Sequence, residues 1–336
     1  IQIDYNSPAP PNTRHTDSYS TLSLNMILPK PIWALLAKEQ LVNTPKTEGI
    51  TAVPVSTQPR LTSKESTRLV DWIFANEDKH ACIKAWLGFL RRYRKTFTDI
   101  AKGMGRWNDE STHSLGHDKW AVGWASDAML PMANALFALK SFEIEGAVLE
   151  CGVFKGSSTA CLSLVCEELC FELDCADSFE GLPSEEGHYG KGDFLGTLDE
   201  VKKNVSRFGK LEHVNFVKGW YSETLKDYSK PLALLWIDVD LQESTIDVLR
   251  NVYSNLAPGA VIFSDGFSED VDFIENQIAH TGGEPAGFFR YFEENKINYC
   301  AAPGGSKGLA MIIPRESSDL DFVIPPKFIS TIIERL

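Results

Sequence analysis

From Gly146 onward, short apolar runs alternate with segments whose apolar residues recur at helical intervals. The runs Ala147–Cys151, Phe171–Ala176, Val214–Lys218, Leu232–Ile237 and Ala260–Phe263 each predict a strand. The patterns between and after them predict helices near Ser157–Cys170, Leu198–Phe208, Ser244–Asn255 and Ser268–Thr281. Strands that are apolar throughout need cover on both faces, so the β-α repeat predicts an α/β, doubly wound and mostly parallel sheet. The alternation then breaks. Gly287–Tyr291 and Leu309–Ile313 read as two further strands joined by a loop containing Pro303-Gly304-Gly305, with the last strand antiparallel.

The N-terminal part follows no such alternation. Residues 1–60 are rich in Pro, Thr, Ser and Asn around one apolar stretch, Leu22 to Leu41, and read as an extended, partly irregular arm carrying a helix. Residues 61–145 read as helical. Thr62-Ser63-Lys64-Glu65 has the capping-box pattern, and Leu69, Ile73, Ile83, Trp86, Leu87 and Leu90 keep helical spacing. A second helix is expected from about Asp127 to Phe142. The alternating part forms a domain over 146–316, followed by a C-terminal tail or helix over 317–336.

A net charge of −13 opposes a nucleic-acid partner, because phosphate binding relies on clustered Lys and Arg. The dense basic run Arg91-Arg92-Tyr93-Arg94-Lys95 falls in a helical pattern and reads as a solvated face. No apolar run approaches the roughly 18 residues of a membrane span, so no membrane partner is expected. Seven cysteines without scaffold spacing fit a reducing cytoplasm. Cys161, Cys166, Cys170 and Cys175 lack the paired spacing of a zinc knuckle and read as small apolar residues.

In an open α/β sheet, ligands bind at the carboxyl ends of the strands, near the point where strand order reverses. The first such end is Glu150-Cys151-Gly152-Val153-Phe154-Lys155-Gly156-Ser157-Ser158. Gly152 and Gly156 permit a tight turn and close approach of a ligand, and the helix start behind them offers free N–H groups. The spacing is G-x-x-x-G, not the dinucleotide fingerprint. Glu150 puts a carboxylate where a ligand's ammonium would lie. The second strand ends at Asp177-Ser178, and a carboxylate there can accept both hydroxyls of a ribose. After the third strand, Gly219-Trp220-Tyr221 offers aromatics that could wall an adenine or simply pack. The fourth and fifth strands end at Asp238-Val239-Asp240 and Ser264-Asp265-Gly266. Two adjacent strand ends carrying Asp238 and Asp265 can hold a hard divalent cation, whereas Asp240 and Glu243 read as caps of the next helix.

These pieces resemble the macrocin O-methyltransferase family, enzymes that methylate sugar hydroxyls on natural products. The likeness rests on Glu150-Cys151-Gly152-Val153 with Gly156, the run Asp177 to Pro183, the run Phe216 to Tyr221 with Glu223-Thr224-Leu225, and Asp238 to Leu241 with Glu243-Ser244-Thr245. It implies a Rossmann-like, class I methyltransferase fold with a seven-stranded sheet and S-adenosylmethionine as cofactor. Glu150, Gly152, Gly156, Ser157 and Ser158 would hold its methionine part, Asp177 its ribose, and Ser178, Trp220 and Tyr221 would border the adenosine. The resemblance also implies magnesium on Asp238 and on an Asp pair after the next strand, which here reads Asp265-Gly266. The family's Tyr after Asp-x-Asp-Leu is replaced by Gln242. Glu269 or Asp270 could substitute for the missing carboxylate. A homodimer rests on the resemblance alone.

The expected reaction is attack of an acceptor hydroxyl on the sulfonium methyl, which demands alignment and removal of a proton. Asp238 and Asp265 are candidate bases, as is His188 in the polar, Gly-rich loop Glu185–Asp193, a segment suited to a lid. A small-molecule hydroxyl, of a sugar or a glycosylated natural product, is the expected acceptor. A catechol-like phenol acceptor, a metal-free or non-catalytic relative and an NAD-dependent oxidoreductase remain the alternatives. The first 145 residues are expected to supply part of the substrate pocket or a dimer contact.

Overall fold

The computed structural model describes residues 77–104, 124–141, 143–265, 282–297, 299–303 and 310–314. The arm over 1–60, the capping box at Thr62, the helix expected over Ser268–Thr281, Gly266, Glu269, Asp270 and the tail over 317–336 lie outside those residues.

In chain order the elements are α1 (Glu77–Met104), α2 (Trp124–Ser141), β1 (Ala147–Cys151), α3 (Ser157–Leu169), β2 (Leu173–Asp177), α4 (Leu198–Phe208), β3 (Val214–Lys218), α5 (Tyr221–Thr224), β4 (Leu232–Ile237), α6 (Gln242–Val252), β5 (Leu256–Ser264), α7 (Gly283–Glu294), β6 (Tyr299–Pro303) and β7 (Ala310–Pro314). The seven strands form one sheet in the order β3-β2-β1-β4-β5-β7-β6. The first five run parallel, and β7 pairs antiparallel with both β5 and β6. Strand order reverses between β1 and β4, as expected for a doubly wound sheet.

Alternate strand residues feed two cores. Val148, Leu173, Cys175, Leu234, Trp236, Val261 and Phe263 face a layer that includes α1, α2 and α3. Leu149, Cys151, Ala176, Leu235, Ile237 and Ile262 face Val248 and Leu249 of α6 and Phe288 and Phe292 of α7. Burial on both sides is why these strands read as unbroken apolar runs. On α1, Trp86, Leu87 and Leu90 are buried, and the Trp86 indole donates to Asn134 of α2 at 2.8 Å. In the basic run only Tyr93 is buried, while Arg91, Arg92, Arg94 and Lys95 stay exposed. Arg92 pairs with Glu168 of α3, so the run is a solvated face. Cys151, Cys161, Cys166 and Cys175 are free and buried, and Cys170 is free and exposed.

Three expectations need correction. Gly287–Tyr291 is not a strand; it lies inside α7, and the hairpin strand is Tyr299–Pro303. The reason is helical spacing: Phe288 and Phe292, four apart, bury the same face against the sheet. Gly287 permits the contact, because a Cβ there would sit 2.6 Å from the Gln242 carbonyl oxygen and from Thr245 Cβ. Strand β5 also begins earlier than expected, at Leu256. Finally, Asp240 and Glu243 do not cap α6. Its N-cap is Leu241, without a side-chain cap, and the amide of Gln242 donates to Glu186 at 3.1 Å.

Candidate functional site

The backbone ladder continues one step past the strands at their carboxyl edge. Gly152 N–H donates to Ala176 O at 3.1 Å, Asp238 N–H to Cys151 O at 2.9 Å, and Asp265 N–H to Ile237 O at 3.0 Å. Gly219 N–H donates to Asp177 O at 2.9 Å. The strand ends singled out in the sequence therefore form one continuous edge, crossing the β1/β4 reversal.

Gly152 has φ 91°, and any Cβ there would run into the carbonyl oxygen of Asp238. The close approach expected at this glycine is thus made to the neighbouring strand end. Gly156, at φ 81°, packs under the Val201 and Val205 side chains of α4 and serves as N-cap of α3. Glu150 is fully buried. It accepts from Ser158 Oγ, from Thr159 Oγ1 at 2.6 Å and from Cys175 Sγ at 3.1 Å. Burial pushes its pKa up to about 7 against the opposing pull of these donors. Glu150 consequently braces the turn from beneath and reaches the cleft through Ser158. Beside it, the buried Ser157 Oγ has no hydrogen-bond partner among the described residues.

Asp177 ties the second strand end to the first. Its Oδ2 accepts from Val153 N–H at 2.8 Å and Phe154 N–H at 3.4 Å, and its Oδ1 from Phe179 N–H at 2.6 Å. Burial raises its pKa and these backbone donors lower it. Ser178 is buried within its own turn, donating to Gly181 O at 3.2 Å. Trp220 is half-buried and its carbonyl caps the short helix α5. Tyr221 packs on the α6–α7 side core, and burial followed by the charge of Asp177 raises its pKa.

Asp238, Asp240 and Asp265 converge at the β4 and β5 ends. Asp238 and Asp240 are half-buried. Burial, then repulsion from Asp265, raises both, and Asp240 reaches about 7. Sequence reasoning missed two carboxylates here. Glu284, buried at the start of α7, accepts from Val239 N–H at 3.0 Å and from Ser264 Oγ. Glu186 accepts from Gln242 N–H at 3.1 Å and Gly283 N–H at 2.5 Å. Sequence reasoning also passed over Tyr189, where burial and then the charge of neighbouring Asp240 push the hydroxyl pKa up. Only the polar character of the Glu185–Asp193 loop hinted at either loop residue. His188 is exposed, its ring 4.1 Å from that of Tyr189.

Among the described residues, the three metal-capable groups lying within 4.8 Å of one another are Glu167, Glu212 and His213. They sit near the opposite end of β3, and Lys210 Nζ already pairs with Glu167 at 3.1 Å. That cluster is an ion-pair network. Again among the described residues, no helix is long and apolar enough to cross a membrane.

A sheet of this order with an antiparallel β7, a glycine turn after β1 and acidic strand ends has the architecture of a class I methyltransferase. The signature described as Macrocin-O-methyltransferase (TylF) matches residues 77–274, and the chain belongs to that family. It is an O-methyltransferase. The 8-demethyl-8-(2,3-dimethoxy-alpha-L-rhamnosyl)-tetracenomycin-C 4'-O-methyltransferase of Streptomyces olivaceus is 28% identical over 181 residues, 48% of this chain and 69% of that one. The mycinamicin III 3''-O-methyltransferase of Micromonospora griseorubida is 31% identical over 181 residues, 47% of this chain and 70% of that one. The solved O-methyltransferase NovP aligns with a TM-score of 0.53 at 19% identity, covering 67% of this chain and 98% of its own, a likeness of fold.

Proposed function

We propose that the enzyme transfers a methyl group from S-adenosylmethionine to a sugar hydroxyl of a small glycosylated acceptor. The observation that carries this reading is the convergence of Asp238, Asp240 and Asp265 one strand away from the Gly152 turn. A cofactor lying along the β1 and β2 ends would present its methyl group toward these carboxylates. The sugar acceptor is supported by the relative named for O-methylation of a rhamnosyl-tetracenomycin, and both relatives are named as O-methyltransferases.

In this reading Ser157 Oγ and the free N–H groups of α3 take the methionine carboxylate. Ser158, braced by Glu150, borders the same group, and Gly152 and Gly156 keep the turn open. Asp177 offers its remaining lone pairs to the ribose, while Ser178, Trp220 and Tyr221 border the adenosine. Asp238 and Asp265 are hard oxygen donors at adjacent strand ends that repel each other, a donor set that fits magnesium. A bound magnesium ion would orient an acceptor diol and lower a hydroxyl pKa. The acceptor proton goes to a carboxylate of this cluster in preference to the exposed His188. The same reading makes residues 146–316 the catalytic domain of a cytoplasmic homodimer, with 61–145 as helical cover, 1–60 as an arm and 317–336 as a tail.

Calorimetric titration with S-adenosylhomocysteine, in magnesium and again in EDTA, paired with methyl transfer to aryl glycosides, tests the proposal. Binding with transfer to a glycoside hydroxyl is the expected result. No binding in either buffer would overturn the cofactor assignment; binding with transfer to phenols alone would overturn the sugar acceptor.

A further inference from the structure

The loop between β2 and α4 carries more organisation than a polar surface loop needs. Its base is closed by backbone pairs, Leu182 N–H to Asp193 O and Gly192 N–H to Leu182 O, both 2.9 Å. Buried Asp193 accepts from Gly190 N–H at 2.7 Å, and Glu186 and Tyr189 exchange backbone bonds of 3.1 and 2.9 Å. Glu186 then docks the tip onto the first amides of α6 and α7. The loop is thereby held against the acidic strand ends, with Tyr189 beside Asp240, whose charge acts on its hydroxyl.

An aromatic row leads back from that contact to the cofactor turn. The ring of Tyr189 lies 6.0 Å from Phe194, and Phe194 makes an edge contact with Phe154 at 5.4 Å. Phe154 belongs to the Gly152–Gly156 turn. Phe154, Phe194 and Asp240 also have φ of 48°, 57° and 61°, three of seven non-glycine residues with positive φ among those described. Such strained backbone persists where surrounding structure fixes it, and it gathers at functional sites.

We propose that Tyr189 is the positioning and specificity residue of the acceptor site. Its hydroxyl fixes the carboxylate of Asp240 toward the acceptor, and its ring, backed by Phe194 and Phe154, forms the wall on which an acceptor sugar stacks. The inference rests on the sugar O-methyltransferase reading and deepens it. A pyranose presents polarised C–H groups on one face and hydroxyls around its rim, so an aromatic ring beside a carboxylate cluster matches both at once. Two functions on one side chain are separable, because phenylalanine keeps the ring and drops the hydroxyl.

The test uses the full chain with 4-nitrophenyl α-L-rhamnoside as acceptor, comparing wild type, Tyr189→Phe and Tyr189→Ala. Tyr189→Phe should lower kcat roughly tenfold with acceptor KM within about threefold, since only alignment of Asp240 is lost. Tyr189→Ala should lower kcat and raise acceptor KM, and should also abolish saturation transfer from protein to probe in NMR. S-adenosylhomocysteine affinity should stay unchanged in both, which verifies folding. Wild-type kcat and KM in both variants would overturn the proposal, as would equal loss of cofactor binding. If the wild type binds S-adenosylhomocysteine but methylates no glycoside, the sugar reading fails; saturation transfer then judges the wall separately, and none in the wild type overturns it.

Discussion

Gly152 lies so close against Asp238 that the carbonyl oxygen of Asp238 occupies the space where a Cβ on Gly152 would be. The two residues directly follow β1 and β4, the strands between which the sheet order reverses. One backbone contact thus sets the spacing between the cofactor turn and the acidic edge. Gly152→Ala combines a clash with main chain and a φ of 91° that disfavours any Cβ. It should cost about 2 kcal/mol or more, within the range for overpacking plus a strained residue. Urea unfolding would show the lower midpoint, and calorimetry at least a tenfold weaker S-adenosylhomocysteine complex.

Glu150 satisfies three donors with one buried carboxylate. Glu150→Ala strands Thr159 and Cys175 in the interior and frees half-buried Ser158, and should destabilise by roughly 3 kcal/mol, the cost of unpaired buried groups plus a cavity. Glu150→Gln keeps the volume and should cost about 1 kcal/mol. Because Ser158 loses its brace in both, cofactor affinity should fall in the same order. Equal stability of the two variants would show that the hydrogen bonds contribute nothing beyond packing.

The acidic edge makes the free enzyme sensitive to pH in an unusual direction. Asp240 and Glu150 keep their protons to about pH 7 in the folded chain, against ordinary values of 3.8 and 4.5. Between those limits the folded state binds more protons than the unfolded chain, so this contribution to stability falls as pH rises. Thermal unfolding of the free protein should give a lower Tm at about pH 7.5 than at about pH 5.5, the span in which these groups titrate. Asp240→Asn removes its share and should flatten the decline. A slope unchanged by that substitution would mean Asp240 ionises near its ordinary value.

Glu186 replaces the cap that α6 lacks in its own sequence. Glu186→Ala leaves the amides of Gln242 and Gly283 without their carboxylate and should cost about 1 kcal/mol, a typical capping contribution. Hydrogen exchange should quicken at residues 185–193 and at the first turns of α6 and α7, while the β1 turn stays protected. S-adenosylhomocysteine binding should be retained, since Glu186 touches neither the turn nor Asp177.

What the sequence determined was the part of the molecule written in local periodicity. Ala147–Cys151, Val214–Lys218 and Leu232–Ile237 are strands at the expected limits; the first and last are buried on both faces, and Val214–Lys218, at the sheet edge, keeps Asn215 and Lys218 exposed. Glu150, Asp177, Asp238 and Asp265 were legible as site residues because each lies within two residues of the end of an apolar run, and parallel pairing brings all the run ends to one edge. Tertiary structure decided the rest. Gly287–Tyr291 is apolar enough for a strand, and only the packing of Phe288 and Phe292 four residues apart makes it a helix. Asp240 looks like a helix cap by position, but the carboxylate on the first amides comes from Glu186, 56 residues away in sequence from Gln242 and 97 from Gly283. Contacts at that separation carry no periodic signal; they exist because the sheet brings three distant chain segments to the same edge, where one carboxylate can satisfy amides from two helices.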